Sequence, residues 1–221
     1  MREIDRIAIE EIGPNLYQMM ENAGRSLAMA VHERLGTHAR SVIVMAGPGG
    51  NGGGGICAAR HLANRGVEVT LVLSDPDRLD DVPSQQLRIY RSTGGAIAEA
   101  KDLDHVAGHI VVDALVGYSL EGPLRGAAAE MVASVDTTDA QVISLDVPSG
   151  IDATTGESTG PHVVADLTVT LALPKTGLDA PACGMVEVAD IGIPAEVFRR
   201  AGVEVRAGTL GLGYRIRLTP G

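Results

Sequence analysis

Apolar residues along this chain follow two alternating periods, one typical of helices and one typical of buried strands. Helical spacing over about 15–35 places a row of apolar residues on one face, and Gly36 follows as a stop signal. Helices are also predicted over 3–11, 56–64, 84–92 and 124–135, with a short one from Pro194. Strands are predicted over 41–46, 67–73, 109–113, 141–146, 166–173 and 185–188.

Strands that alternate with helices predict a mostly parallel sheet covered on both faces. In such sheets ligands bind beyond the carboxyl ends of the strands. This rule selects the loops that follow Ala46, Asp113 and Asp146. No repeat or composition break divides the chain, so we expect a single domain over 1–207 and a flexible tail over 208–221.

Composition narrows the function classes. The chain has 221 residues and a net charge of −10, which argues against a nucleic-acid partner held by general electrostatics. The two cysteines, Cys57 and Cys183, lie far apart, and we expect reduced thiols. No apolar run reaches the roughly 18 residues of a membrane helix, and no signal peptide is recognisable. We expect a soluble, cytoplasmic protein.

Residues 47–55, Gly-Pro-Gly-Gly-Asn-Gly-Gly-Gly-Gly, stand between a strand and a helix. Glycines allow positive φ and close approach of the backbone to a ligand, and a helix N-terminus attracts anions. The run therefore predicts a phosphate or nucleotide site. It contains a literal G-x-G-x-x-G, and Asp75 lies where a dehydrogenase would bind ribose. That alternative, and a tight turn without a ligand, stay open at this point.

Two acids, Asp113 and Asp146, end neighbouring predicted strands. Their charges repel unless a proton or a cation lies between them, which predicts a general acid/base or a metal site. Asp152 is interpreted as a loop cap. Lys175 follows another strand and either contacts a ligand's negative charge or is solvated. The six histidines show no metal-ligand spacing, and no Ser-His-Asp order is present.

Several ordered motifs resemble the NAD(P)H-hydrate epimerase family, also called the YjeF N-terminal domain. Over about 3–200 these are Met-Glu-Asn-Ala-Gly at 20–24, the glycine run, Val-Asp-Ala-Leu-Val-Gly at 112–117, Asp-Val-Pro-Ser-Gly at 146–150, Asp-Leu-Thr-Val-Thr at 166–170, Lys175 with Gly177-Leu178, and Asp-Ile-Gly-Ile-Pro at 190–194.

The resemblance implies a Rossmann-like three-layer α/β/α sandwich that interconverts the R and S epimers of NADH or NADPH hydrated at C6 (NADHX and NADPHX). It implies Asp146 as the catalytic acid/base and K⁺ bound by Asn51, Asp113 and Ser149. It implies substrate contacts by Gly50, Asn51, Gly52, Gly53, Gly54, Gly117, Tyr118, Ser119, Leu120, Glu121, Gly122, Pro123 and Asp146. It also implies a separate NAD(P)H-hydrate dehydratase that acts on the product, and a homodimer.

This chain departs from the family loop G-P-G-N-N-G-G-D-G at two positions. Gly50 replaces an Asn and Gly54 replaces an Asp, so polar contacts to a ligand are lost. Two further hypotheses accompany the epimerase. One is a catalytically altered or inactive nucleotide-binding or interaction module of the same fold, and the other is a nicotinamide dehydrogenase that uses Gly47–Gly52 and Asp75.

Overall fold

The computed structural model describes residues 1–36, 41–105, 108–135, 139–205, 208–209, 211 and 213–219. Its α-helices are α1 (Arg2–Ile7), α2 (Leu16–Arg34), α3 (Gly50–Ala63), α4 (Asp81–Arg91), α5 (Gly126–Val135) and α6 (Ala195–Arg200). Its strands are β1 (Ser41–Ala46), β2 (Glu68–Leu73), β3 (Ala96–Glu99), β4 (Ile110–Ala114), β5 (Gln141–Leu145), β6 (Leu167–Leu171), β7 (Met185–Ala189) and β8 (Arg215–Arg217). A π-helical turn, Ala8–Ile12, extends α1.

The strands form one sheet in the order β3-β2-β1-β4-β5-β6-β7-β8. All neighbouring pairs are parallel except β7 with β8. The chain starts at β1, winds outward to β3, and then crosses back to β4, so the direction of winding reverses between β1 and β4. This is the Rossmann-like arrangement that was expected, and its ligand crevice lies at the carboxyl ends of the strands around that reversal.

Aliphatic side chains fill the space on each side of the sheet. One core contains Leu27 from α2, Ile56 and Leu62 from α3, and Tyr90 from α4, packed on the central strands. The core on the other face contains Met131 and Val132 from α5. A third cluster joins α1, α2 and α6 beside the carboxyl ends of β6 and β7. The small N-terminal helix is therefore fixed at the edge of the sheet where ligands are expected.

The glycine run does not form the loop predicted before residue 56, because α3 already begins at Gly50. None of its glycines has a positive φ. A need for left-handed backbone therefore does not explain why glycine occupies these positions. A Cβ at Gly52 would lie 1.8 Å from the Gly47 carbonyl oxygen, and one at Gly55 would lie 2.5 Å from the Ala114 side chain. Glycine is required here because the first turns of α3 pack directly on the loop and on β4.

Two strands, β3 and β8, are absent from the sequence prediction. The segment from residue 208, expected to be a flexible tail, contains β8, which pairs with β7. The guanidinium of Arg215 bonds to the carboxylates of Glu187 and Glu33, and it also donates to the Ser26 carbonyl at 3.0 Å. These long-range ionic contacts attach the strand, and no local periodicity reveals them.

Candidate functional site

A cavity of about 290 Å³ opens at the carboxyl edge of the sheet. That volume is at the lower end of small-molecule pockets. α1, α2, the start of α3 and the loops after β4, β5 and β6 surround it. Its lining residues are Met1, Asp5, Ile9, Leu16, Met19, Met20, Ala23, Gly50, Asn51, Gly54, Gly117, Tyr118, Ser119, Leu145, Asp146, Leu171, Lys175 and Ile191.

Asp146, directly after β5, has a carboxyl group that lines this cavity although the residue is only 3% exposed. Its φ is 69°, a left-handed conformation that Asp tolerates better than most residues. The backbone is held there because the Asp146 N–H donates to the Val169 carbonyl at 2.8 Å. Oδ2 accepts from the Tyr118 N–H at 3.0 Å, and Oδ1 accepts from the Leu171 N–H at 3.3 Å.

Lys175 forms a buried ion pair with Oδ1 of Asp146, and its side chain is 6% exposed. Its ammonium also donates to Thr170 Oγ1 at 3.1 Å and to the Leu171 carbonyl at 2.9 Å. All three donor positions are thereby used, so the lysine is fixed beside Asp146. Of the two roles left open for Lys175, the solvated one is excluded.

Asp113, within β4, is fully buried and does not line the cavity. Oδ1 accepts from Ser149 Oγ at 2.5 Å and from the Leu115 N–H at 3.2 Å. Oδ2 accepts from the Ser149 N–H and from Ser144 Oγ, each at 2.8 Å. Burial raises the pKa of Asp113, and these four bonds from neutral donors oppose the shift.

The loop after β4 connects these two aspartates, and Asn51 lies against it at Gly117. Ser149 Oγ accepts from the Val116 N–H at 3.0 Å, which ties the Asp113 cluster to the loop after β4. A Cβ at Gly117 would lie 2.8 Å from Asp146 Oδ2 and 3.1 Å from Asn51 Oδ1, so only glycine fits between the two side chains. The side-chain nitrogen of Asn51 is buried and has no hydrogen-bond partner among the described residues. That NH₂ group is therefore available to donate a hydrogen bond to an acceptor on a ligand.

The N-terminus of α3 lies at the cavity wall through Gly50 and Asn51. The first backbone amides of a helix have no intrahelical acceptor, and the helix dipole adds partial positive charge. Gly50 has open space, since its Cβ would meet Met20 only at 4.0 Å. Gly54 does not, because its Cβ would lie 2.7 Å from Leu145 Cδ2.

The cavity contains Gly50, Asn51, Gly54, Gly117, Tyr118, Ser119 and Asp146 from the expected substrate set. The same set includes Gly52, Gly53, Leu120, Glu121, Gly122 and Pro123, which do not line it. Glu121 instead forms an exposed salt bridge with Arg2 at 2.9 Å. Of the expected potassium ligands, Asp113 and Ser149 are in direct contact and Asn51 lies across Gly117 from Asp146.

Asp5 and Tyr118 make a contact that sequence reasoning missed. The Tyr118 hydroxyl donates to Asp5 Oδ2 at 2.5 Å, and both residues line the cavity. Burial raises the pKa of Asp5. The acidic pattern of α1 includes Asp5 among several surface charges, so no signal distinguished it before tertiary structure brought α1 against the loop after β4.

The remaining acids stand apart from the cavity. Asp152 caps its loop as interpreted, with Oδ1 accepting from the Thr154 and Thr155 N–H groups at 2.8 Å each. Asp75 precedes a short 3-10 turn, and its Oδ2 lies 3.9 Å from the Arg78 guanidinium. It does not line the cavity. The cavity therefore lacks the ribose-binding acid that the dehydrogenase hypothesis requires.

One further cluster, which the histidine spacing did not reveal, brings Glu21, Cys57 and His61 within 4.8 Å of one another. The guanidinium of Arg60 already lies in it, 2.5 Å from Glu21 Oε2 and 3.2 Å from Cys57 Sγ. Burial raises the pKa of Cys57 to about 12. The Arg60 guanidinium already neutralises the Glu21 carboxylate, and a protonated thiol is a poor metal ligand, so the cluster is poorly suited to a metal ion. Both cysteines are free, as expected.

Within the described segments, no helix is long and apolar enough to cross a bilayer.

Residues 16–177 match the family model described as "YjeF-related protein N-terminus". A protein named NAD(P)H-hydrate epimerase from Dehalogenimonas lykanthroporepellens is 47% identical over 99% of this chain and 90% of its own length. One of the same name from Rhodopirellula baltica is 36% identical over 92% and 86%.

The match extends to part of a longer protein and to a solved structure. A protein named Bifunctional NAD(P)H-hydrate repair enzyme Nnr, from Hyperthermus butylicus, is 37% identical over 94% of this chain, which spans only 39% of that protein. The crystal structure of yeast YNL200c superposes with a TM-score of 0.85 at 25% identity, over 98% of this chain and 96% of that one.

Proposed function

The chain belongs to the family of YjeF-related protein N-termini, and we propose that it is an NAD(P)H-hydrate epimerase that uses Asp146 as its acid/base. The observation that carries the proposal is the carboxyl group of Asp146, which lines the cavity, is ion-paired with Lys175 and is held in a left-handed conformation. The 47% identity to a protein of that name supports the choice of reaction.

The chemistry at C6 suits a positioned carboxyl group. C6 of the hydrated ring is bonded to both the ring nitrogen and a hydroxyl group. When that hydroxyl is protonated it leaves as water, and the nitrogen lone pair stabilises the resulting cation. Water then adds to the other face and loses a proton. Proton transfer by a positioned side chain contributes about 10²–10⁴-fold to such a rate.

The proposed substrate position follows from the cavity and from α3. The hydrated nicotinamide ring lies in the cavity beside Asp146, with Gly117, Tyr118 and Ser119 along its wall. The phosphates lie against the first amides of α3, those of Gly50, Asn51 and Gly52, where the helix N-terminus favours negative charge. Residues 120–123 then contact the part of the dinucleotide outside the cavity. Gly50 and Gly54 offer backbone contacts only.

Potassium is the second part of the proposal, with Asn51, Asp113 and Ser149 as its ligands. Two observations support the fit. The proposed ligand atoms are oxygens, which hard cations prefer. The fully buried Asp113 contacts no cationic side chain among its described partners. When bound, the ion would offset the charge of Asp113 and hold the loops together.

The biological setting is proposed from the same relationship. Repair of hydrated cofactors requires a dehydratase that consumes the S epimer, and here we propose a separate protein. Cytoplasmic location and a homodimer are further predictions of the family relationship.

The test of the proposed function starts from one purified epimer of NADHX. Wild-type protein should convert it to the equilibrium mixture, followed by chromatography, far faster than the spontaneous reaction in the same buffer. A rate equal to the spontaneous one, from protein that is folded by circular dichroism, would reject the epimerase. In that case, binding of the hydrate without conversion would support the alternative of a non-catalytic module.

A further inference from the structure

Asp5 is an acid in the cavity to which the proposed reaction assigns no role. It lies in α1, ahead of the segment that matches the family model. Its Oδ2 accepts from the Tyr118 hydroxyl at 2.5 Å. Among the hydrogen bonds of the described residues, its Oδ1 takes part in none, so that oxygen is free to face a ligand.

Tyr118 joins Asp5 to Asp146 through its two ends. Its main-chain N–H donates to Asp146 Oδ2 at 3.0 Å, and its hydroxyl donates to Asp5. The Lys175 ammonium lies 5.9 Å from the centre of the Tyr118 ring. One tyrosine therefore sets the separation between the two carboxyl groups, and both line the same cavity.

Epimerisation at C6 needs proton transfer on both faces of the ring. The cation formed when the hydroxyl leaves is planar at C6. A single carboxyl group on one face protonates the hydroxyl there and assists the return of water to that same face. This exchanges the oxygen atom but leaves the stereochemistry unchanged. Inversion is accelerated by a base placed to accept a proton from water that attacks from the opposite face.

We propose that Asp5 is a second catalytic acid/base, which serves the face of the nicotinamide ring opposite Asp146. This inference rests on the proposed epimerase function. Tyr118 is the positioning residue, because its hydroxyl holds Oδ2 of Asp5 and leaves Oδ1 available for proton transfer. The roles of Asp5 and Asp146 exchange when the reaction runs in the other direction.

The electrostatic surroundings suit this role. Burial raises the pKa of Asp5, while the Tyr118 hydroxyl, the Met1 amino group and the Lys175 ammonium act against that shift and the Asp146 carboxylate adds to it. A half-buried acid of raised pKa holds a proton more readily than an exposed one. The ion-paired Asp146 provides the carboxylate.

The steps balance in atoms and electrons. In one direction Asp5, protonated, gives its proton to the C6 hydroxyl, the C–O bond breaks, and the nitrogen lone pair forms a C=N bond. The hydroxyl leaves as water. A second water attacks C6 from the other face and gives a proton to the Asp146 carboxylate, while the C=N electron pair returns to nitrogen. Water in the cavity then returns the proton from Asp146 to Asp5.

The experiment separates inversion from oxygen exchange. Each pure epimer of NADHX is incubated with the full chain in water carrying a heavy oxygen isotope, and both epimers are analysed by chromatography and mass spectrometry. In Asp5→Asn we expect inversion to fall about 10²-fold. For one of the two epimers, catalysed exchange into unreacted substrate should persist, so the ratio of exchange to inversion rises at least about tenfold.

Three comparisons make the result decisive. Glu3→Gln, an equal change on the same helix at an exposed residue that does not line the cavity, should leave both rates unchanged. Asp5→Glu keeps a carboxyl group and should restore much of the ratio. Equal loss of exchange and inversion in Asp5→Asn would show a structural role, and unchanged rates would show none; either result overturns the inference. Absence of conversion by the wild-type protein would instead overturn the proposed function.

Discussion

Asp113 and Asp146 lie at the same edge of the sheet, at the ends of the neighbouring strands β4 and β5, yet their surroundings differ. Asp113 is sealed from the cavity and accepts four hydrogen bonds from neutral donors. Asp146 faces the cavity, bonds to a lysine and adopts a left-handed backbone. Burial alone does not mark a catalytic acid. Access to the cavity and an opposite charge distinguish Asp146, the proposed acid/base, from Asp113.

Among the residues that line the cavity, the largest effect on stability is expected for Lys175→Met, which leaves Asp146 buried without its counter-charge. Removing one partner of a buried ion pair costs about 3–5 kcal/mol. We expect a loss of that size in the free energy of unfolding, measured by urea titration. The double variant Lys175→Met with Asp146→Asn should be less destabilised than Lys175→Met, since no charge is then left unpaired. A double variant that is worse than the single one contradicts the pairing.

Asp113→Asn tests the structural half of the comparison. An amide replaces one carboxylate oxygen by an NH₂ group, so two of the four donors lose their acceptor. Each buried unsatisfied group costs about 1–3 kcal/mol, so we expect the two together to lower the free energy of unfolding by about 2–6 kcal/mol. Asp152→Asn, which alters an exposed loop cap, is the control and should cost about 1 kcal/mol or less. Equal losses of unfolding free energy in the two variants would show that the buried hydrogen bonds of Asp113 stabilise the fold no more than an exposed loop cap does.

Exchange of potassium for sodium sharpens the contrast further. If K⁺ binds at Asp113, a concentration ten times its Kd stabilises the wild-type protein by about 1.4 kcal/mol. We expect a higher thermal midpoint in KCl than in NaCl at equal ionic strength, and no difference between the salts for Asp113→Asn. Identical midpoints for the wild-type protein in both salts would count against the ion site.

The smallest effect concerns the two glycines where the chain departs from the family loop. Gly50 has open space and is exposed, so Gly50→Asn should change stability by less than about 0.5 kcal/mol. One added hydrogen bond would lower the KM for NADHX about 2–10-fold. Gly54→Asp, by contrast, meets Leu145 and should destabilise the fold. Equal tolerance of both changes would mean that packing does not explain Gly54.

The alternation of strands and helices was sufficient to predict the parallel sheet and the three loops at its carboxyl edge. The motif order was sufficient to predict the family. Three features could not be read locally. Gly52 and Gly55 are explained by the clashes that a side chain there would make with Gly47 and Ala114. Ala114 is remote in the chain, and Gly47 meets Gly52 only because the loop folds back onto α3. The partner of Asp146 is 29 residues away, and the contact between Asp5 and Tyr118 spans 113 residues.

The most direct test of the central claim compares the wild-type protein with Asp146→Asn in the conversion of a single NADHX epimer at saturating substrate. The amide keeps an oxygen for Lys175 but cannot carry a proton between the ring and water. We predict that kcat, normalised to the folded fraction measured by circular dichroism, falls about 10²–10⁴-fold, a loss separate from the stability lost when Lys175 is left unpaired. A variant that converts the epimer at the wild-type rate would contradict the assignment of Asp146 as the catalytic acid/base.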